Sequence, residues 1–195
     1  MSFADAKELV RKKFEKDRRD AAHDFTHVMR VLKNAEILRR KEGGNLGVIK
    51  YAALFHDYAR EPMGEVKGDH AKKSVQMTKK ILPRFVPKEK IKEIQHAILA
   101  HSRKSGVKPQ TLEAKILWDA DKLDFITPVC IARYVIQGDH LGWNIEKSLK
   151  GFINGLKTIK ADRDFFYTKT AKKIVNSKID RSIRMAQEIL KEAVE

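Results

Sequence analysis

Hydrophobic residues recur with a helical period through most of the chain, and alternation with a period of two is hard to find. A charged helix is predicted over residues 4–18, and a second over residues 24–40, which Asp24 caps and Gly43 stops. Residues 46–56 are apolar on nearly all sides, which predicts a buried helix. The pattern therefore predicts an all-α fold.

The same period continues to the end of the chain after residues 61–64, Glu-Pro-Met-Gly, break it. Further helices are predicted over residues 70–82, 87–101, 111–123 and 129–136, and then as two or three basic amphipathic helices, of which the last spans residues 180–193. A turn is predicted over residues 138–142. Because no repeat, low-complexity tract or linker interrupts this order, the 195 residues indicate one domain.

Composition and charge indicate a cytoplasmic protein with an anionic partner. The single cysteine, Cys130, suits a reducing compartment, and neither a secretory signal nor an apolar run near the ~20 residues of a membrane span is present. The net charge of +15 attracts nucleotides, phosphorylated metabolites or nucleic acid. Basic residues concentrate in residues 67–92 and 147–173, where a solvated helical surface is the other interpretation.

Several histidines and carboxylates occupy the apolar faces of the predicted helices. His27 is in line with Val31, and His56 with Ala52, so both are predicted to point inward. Asp57 follows at the end of a buried helix, where a carboxylate is costly unless a cation or several donors accompany it.

A later acidic segment offers two more carboxylates. Asp121 lies one helical turn from Leu117 and Trp118, which predicts that it also faces inward. Asp119 lies one turn from Lys115, which predicts a surface ion pair and little loss of stability on substitution.

Two inward histidines and two inward carboxylates from three helices could converge on one divalent ion. Imidazole with carboxylate oxygens suits Mn, Fe, Co, Ni, Zn or Mg, and the lack of cysteine ligands argues against a structural zinc site. From spacing alone, a set of unrelated core histidines and helix-end carboxylates remains the alternative.

The segments around these residues resemble the HD-domain superfamily of metal-dependent phosphohydrolases, and in particular a subgroup of small, mostly uncharacterised HD hydrolases. The resemblance covers residues 20–137 and continues faintly at residues 167–173. It departs after the last motif, where Phe-Ile-Thr-Pro at residues 125–128 replaces a glycine that often stands there, so a different pocket wall is expected. The segments that carry it are HDFTHVMRV (23–31), AALFHD (52–57), ILAHS (98–102) and LWDADKLD (117–124).

The resemblance implies an HD-type helical bundle that forms a single domain over residues 1–195, with core motifs in 20–137 and a C-terminal helical extension in 138–195. It implies one or two divalent ions per chain. The implied ligands of the first ion are His27, His56, Asp57 and Asp121. The implied activity is hydrolysis of a phosphate ester or anhydride of a nucleotide, or of another small phosphorylated compound, through a metal-activated water.

The resemblance also implies roles for neighbouring residues. Asp57 is expected to bridge two ions or orient the water, and Lys122 to act in catalysis and bind phosphate. His70 and His101 are expected to bind a second ion or contact phosphate, better than His96, although both could be ordinary helix-end residues. Phosphate also needs fixed cations, so Arg60, Arg103 and Arg133, which lie near the motif segments, are expected substrate contacts, although each could be a surface residue. His23, one turn before His27, is expected to line the pocket and contact the substrate, with a ligand role as the alternative.

Two other function classes are weighed against the hydrolase. The charge of +15 allows a nucleic-acid-binding protein or nuclease, but no basic segment carries regularly interleaved aromatic residues. A non-catalytic HD scaffold would ordinarily have lost ligands, and all four are present. The hydrolase is therefore favoured, while the substrate, the native metal and the oligomeric state stay open.

Overall fold

The computed structural model describes residues 1–17, 21–60 and 68–194, and within those ranges it contains nine α-helices, two short 3-10 turns and no strand. The prediction of an all-α, single-domain fold is confirmed. The helix break predicted at residues 61–64 lies outside the described residues. The helices are α1 (Phe3–Lys16), α2 (Phe25–Glu42), α3 (Leu46–Phe55), α4 (His70–Thr78), α5 (Lys88–Ala100), α6 (Leu112–Phe125), α7 (Val129–His140), α8 (Ile145–Ala161) and α9 (Lys169–Val194).

The core forms around α3, whose side chains from Val48 to Phe55 are buried apart from Lys50. α3 packs against α2, α5 and α6, and α1 covers part of the same layer. α8 lies between α7 and α9, and α9 returns to contact α2 and α6. The predicted burial of the helix at residues 46–56, α3, is therefore confirmed. None of the helices described is both long and apolar enough to cross a membrane.

Side-chain caps define the starts of several helices, and two of these caps set the positions of site residues. The Asp24 carboxylate accepts a hydrogen bond from the backbone N–H of His27 at 3.0 Å, which fixes the first turn of α2. The Asp69 carboxylate caps α4 in the same way, so that His70 is its first residue. Thr111 caps α6, as the predicted start of that helix requires.

Three helix ends differ from the predictions. α4 stops at Thr78, before a 3-10 turn that contains Pro83, because the proline has no N–H to donate to the Lys79 carbonyl four residues earlier and its ring clashes with that group in a helix. α7 continues through Gly138, where a Cβ atom would lie 2.0 Å from Ser148 Oγ, so this glycine permits close helix packing rather than a turn. The last helix, predicted over residues 180–193, begins earlier, at Lys169, and is one element of 26 residues.

Candidate metal centre

Five helices bring imidazole and carboxylate groups together around Asp57, which follows the C-terminus of α3 and is 2% exposed. His27 comes from the first turn of α2. His56 is the C-cap residue of α3 and directly precedes Asp57. α4, α5 and α6 contribute His70, His101 and Asp121 respectively. The inward orientation predicted for His27, His56 and Asp57 is what the structure shows.

A first cluster faces one oxygen of Asp57. The Nε2 atoms of His27 and His56 are 3.4 Å apart. Asp57 Oδ2 lies 3.8 Å from His27 Nε2 and 3.7 Å from His56 Nε2. Asp121 Oδ1 lies 3.5 Å from His27 Nε2, which places the fourth predicted ligand beside the other three.

A second cluster faces the other oxygen of the same carboxylate. Asp57 Oδ1 lies 3.3 Å from His70 Nε2 and 3.6 Å from His101 Nε2, and the two Nε2 atoms are 3.1 Å apart. In each cluster one ligand atom from each of three residues lies within 4.8 Å of the others, so each could hold a metal ion. Asp57 is the member that the two clusters share.

The tautomers of the histidines fit this interpretation. Nδ1 of His56 donates to the Ala53 carbonyl at 2.8 Å, and Nδ1 of His101 donates to the Ile98 carbonyl, because a carbonyl can only accept. In the neutral imidazole, Nε2 then carries a lone pair that points at Asp57. Lone pairs and carboxylate oxygens facing one another are the arrangement that a cation satisfies.

The protonation states agree with a ligand role. Burial lowers the pKa of His56 to about 4 and that of His70 to about 3, so both rings are neutral at pH 7. Burial alone would raise the pKa of Asp57, but the nearby His56 and Arg60 hold it well below its ordinary value. In the same way, burial of Asp121 is outweighed by Lys122, and the pKa of this carboxyl is lowered.

Asp124 belongs to the site, although its sequence position carries no predicted role. Its carboxylate is 1% exposed, lies 2.8 Å from His27 Nδ1, and accepts hydrogen bonds from Arg30 Nε at 2.7 Å and from Arg133. The available signal was its place one helical turn after Asp121, on the same face of α6. Asp124 fixes the orientation of His27 and leaves Nε2 of that ring facing the cluster.

The predicted substrate contacts all line one pocket of about 520 Å³ that opens onto both clusters. Lys122 Nζ lies 2.6 Å from Asp121 Oδ2 and donates to the His101 carbonyl at 3.3 Å. Arg60 lies 3.8 Å from Asp57 and 3.5 Å from His70, and Arg103 lies over the ring of Phe165.

The last two predicted substrate contacts, Arg133 and His23, differ in what they contact. Arg133 lines the pocket but donates to Asp124 and to the Ala22 carbonyl. The ring of His23 lies in the pocket wall, 6.4 Å from that of His27. His96, which was expected to fit the site less well, accepts a hydrogen bond from the Gln110 backbone outside the pocket.

The prediction that Asp119 forms a surface ion pair is wrong. Its carboxylate is fully buried and accepts hydrogen bonds from the backbone N–H groups of Tyr167 at 2.9 Å and Thr168 at 2.7 Å. Thr168 in turn caps α9 by accepting from the Ala171 N–H. Burial raises the pKa of Asp119 to about 6. Asp119 therefore ties α6 to the start of α9 and faces away from the metal ligands.

Comparisons with known proteins agree with the fold and the motifs. The sequence profile of the HD domain matches residues 24–126. An uncharacterised protein of Clostridium beijerinckii is 32% identical over 139 residues, which cover 70% of this chain and 83% of that relative. Among solved structures, a predicted HD superfamily hydrolase from an uncultured Thermotogales bacterium is 28% identical, with a TM-score of 0.69 over 97% of this chain and 91% of that one. Bacillus subtilis YpgQ, solved in complex with ADP, shares the fold at 21% identity, with a TM-score of 0.70 over 97% of both chains.

Proposed function

The chain belongs to the HD domain family, and from that premise we propose that it is a metal-dependent phosphohydrolase. Its substrate is a nucleotide or another small phosphorylated compound, in which it cleaves a phosphate ester or anhydride bond. The observation that carries the proposal is the pair of His/Asp clusters that share Asp57, one on each oxygen of that carboxylate. A hydrolase activity is also consistent with the predicted HD superfamily hydrolase from the Thermotogales bacterium.

The residues divide into two ligand sets. His27, His56, Asp57 and Asp121 would hold the first ion, and Asp57, His70 and His101 would hold the second. A divalent ion bound there supplies an activated water and neutralises negative charge on the phosphoryl oxygens. The oxygen and nitrogen donors suit Mn, Fe, Co, Ni, Zn or Mg.

The protein's own cations would hold the phosphate. Lys122 has three N–H donors, of which Asp121 and the His101 carbonyl occupy two, so one is left to donate to a phosphate oxygen. Arg60 stands at the second cluster. Arg103 and Lys104 line the pocket and have no ion pair with a carboxylate in the described part of the chain.

Two residues are placed to assist the attack of water and the departure of the leaving group. Asp57 is ionised and reaches both clusters, so it is the group best placed to orient the attacking water and accept its hydrogen bond. Lys122, beside Asp121, is the donor placed to stabilise the leaving oxygen.

Two observations favour a nucleotide among the phosphorylated compounds. YpgQ, which shares the fold, was solved in complex with ADP. The pocket of about 520 Å³ also extends beyond the metal ligands, and the wall there carries the aromatic residues Phe125, Tyr134 and Phe165. We further propose that the C-terminal extension, residues 138–195, completes this pocket, because α8 contributes Gly155, Thr158 and Ile159 to its wall.

The test combines metal analysis with a hydrolysis screen. Purified protein is stripped with a chelator, reloaded with each divalent ion in turn, and assayed against nucleotides, sugar phosphates and pyrophosphate. Wild type is expected to turn over at least one compound only when metal is present, and Asp57→Asn to lose that activity. Undiminished hydrolysis by the stripped protein, or no hydrolysis with any ion, would reject the proposal.

A further inference from the structure

The pocket has a second half, beyond the metal ligands, whose wall is built from α6, α7 and α8. Phe125 stands one helical turn after Asp121 on α6, so its ring continues the wall that the last ligand begins. The ring of Tyr134 on α7 lies 6.0 Å from that of Phe125, nearly edge to face. This is the segment in which Phe-Ile-Thr-Pro replaces the expected glycine, so the sequence difference does lie in the pocket wall.

A glycine on α8 leaves the floor of this half open. A Cβ atom at Gly155 would lie 3.6 Å from Cζ of Phe125, an ordinary contact, so the position tolerates a small side chain without strain. Gly155 also lines the pocket itself. A longer side chain at this position would start beside the Phe125 ring, at the wall of the pocket.

Two polar side chains stand at the edge of the same space, one from each helix. Gln137 lies one turn after Tyr134 on α7 and lines the pocket, and its side-chain amide makes no hydrogen bond within the ranges the structure describes. Its amide can both donate and accept. Thr158 lies one turn after Gly155 and donates its hydroxyl hydrogen to the Asn154 carbonyl at 3.0 Å, which leaves its oxygen as an acceptor.

We propose that this half of the pocket binds the planar base of a nucleotide, that Gly155 sets the depth available to the base, and that Gln137 and Thr158 contact its polar edge. The inference rests on the proposed function, since it places the phosphates of the same molecule at the metal clusters. An aromatic wall suits a flat heterocycle, because all of the nucleotide bases stack favourably on aromatic rings. A sugar would instead call for more polar side chains than the two found here.

The experiment compares ligands that share a phosphate chain and differ in the base. Binding of ATP, GTP, CTP and UTP, and of inorganic tripolyphosphate, is measured by calorimetry in the presence of Mn²⁺ for wild type, Gly155→Leu and Asn154→Leu. Gly155→Leu should weaken the best nucleotide about tenfold or more and leave tripolyphosphate within about twofold. Asn154→Leu is the matched control, because it puts the same side chain on the exposed neighbouring position of α8.

Gly155→Ala guards against a folding failure of the larger variant. Alanine favours the helix and meets only an ordinary contact, so this variant should fold and show a smaller loss of nucleotide affinity in the same direction. The inference is overturned if the Gly155 variants weaken tripolyphosphate as much as nucleotides. It is also overturned if they bind nucleotides like wild type, or if wild type binds no nucleotide better than tripolyphosphate. Since these are binding measurements, they decide the matter even if no hydrolysis is found, which would reject the proposed function instead.

Discussion

Asp124 Oδ2 lies 2.8 Å from Nδ1 of His27, and this contact connects the first proposed metal cluster to a buried ion network. Arg30 and Arg133 both donate to the same carboxylate, so its position is fixed from two sides. An ionised carboxylate can only accept, which makes Nδ1 the protonated nitrogen of His27 and leaves Nε2 as the donor atom for a metal. Asp124 thus acts on the cluster through His27 and is a positioning residue.

Asp124→Asn is expected to weaken the first metal site by about 10–100-fold, the usual effect of removing a carboxylate that orients a ligating histidine. The affinity is measured by calorimetry with Mn²⁺. Arg30→Gln is the control, because it removes a partner of Asp124 but keeps the contact between Asp124 and His27. Equal affinity in Asp124→Asn and wild type would show that His27 needs no such partner.

The second cluster predicts two ions per chain that can be separated by mutation. His70→Ala and His101→Ala should each reduce the bound metal from about two ions to one and lower turnover, while the first ion stays bound. Metal content by elemental analysis and the rate on the best substrate are the two measurements. His96→Ala serves as the control, since His96 lies outside the pocket. Full activity and unchanged metal content in both variants would mean that His70 and His101 are ordinary helix-end residues.

The lowered pKa of His56 predicts acid sensitivity of the metal-free protein. Its pKa is about 4 in the folded chain, against an ordinary value of 6.5, so the unfolded chain takes up the proton first as the pH falls. The free energy of unfolding should therefore fall as the pH drops from about 6.5 toward 4, with this group contributing about 2 kcal/mol of loss by about pH 5. Denaturant titrations of chelated protein at pH 7 and pH 5 measure it.

His56→Asn isolates that contribution. The asparagine amide can still donate to the Ala53 carbonyl but does not titrate. The loss of stability between the two pH values should be smaller in this variant than in wild type. A loss of the same size in both proteins would place the acid sensitivity elsewhere.

The sequence predicted the parts of the site that depend on local spacing. A helix face is defined by residues three or four apart, so the inward positions of His27 and His56 followed from Val31 and Ala52. The resemblance to the HD superfamily then supplied His70 and His101, which the structure does bring to Asp57. Spacing alone could not have done so, because the two histidines come from separate helices.

Contacts between residues distant in sequence were the ones missed. The glycine predicted to form a turn, Gly138, instead lies inside α7, where it packs closely against Ser148 of the next helix. The role of Asp124 depends on Arg30 and His27 of α2, more than 90 positions earlier. No periodicity within one helix carries such information, since the partner is selected by how the helices pack.

Asp119 and Asp121 lie within one helical turn, yet local spacing predicted the position of Asp121 correctly and that of Asp119 wrongly. This pair gives the last prediction. Asp121→Asn should abolish activity and strongly weaken the first ion, because it removes a charge beside His27 and leaves the shape unchanged. Asp119→Asn should keep the metal but lower the free energy of unfolding by about 1–3 kcal/mol. The N–H groups of Tyr167 and Thr168 donate to different oxygens of Asp119, so in asparagine one of them would face the NH2 group, which is itself a donor.

The spacing of Asp119 from Lys115 predicted instead that this substitution would cost little. Because the Asp119 carboxylate is buried and hydrogen-bonded, a loss of stability is expected instead. Removing a charge from the protein interior offsets part of that loss. Metal content, turnover and denaturation midpoints of the two variants, measured side by side, decide the assignment. Loss of metal in Asp119→Asn with retention in Asp121→Asn would reverse the two roles. An Asp119→Asn protein as stable as wild type would show that the link between α6 and α9 does not depend on this carboxylate.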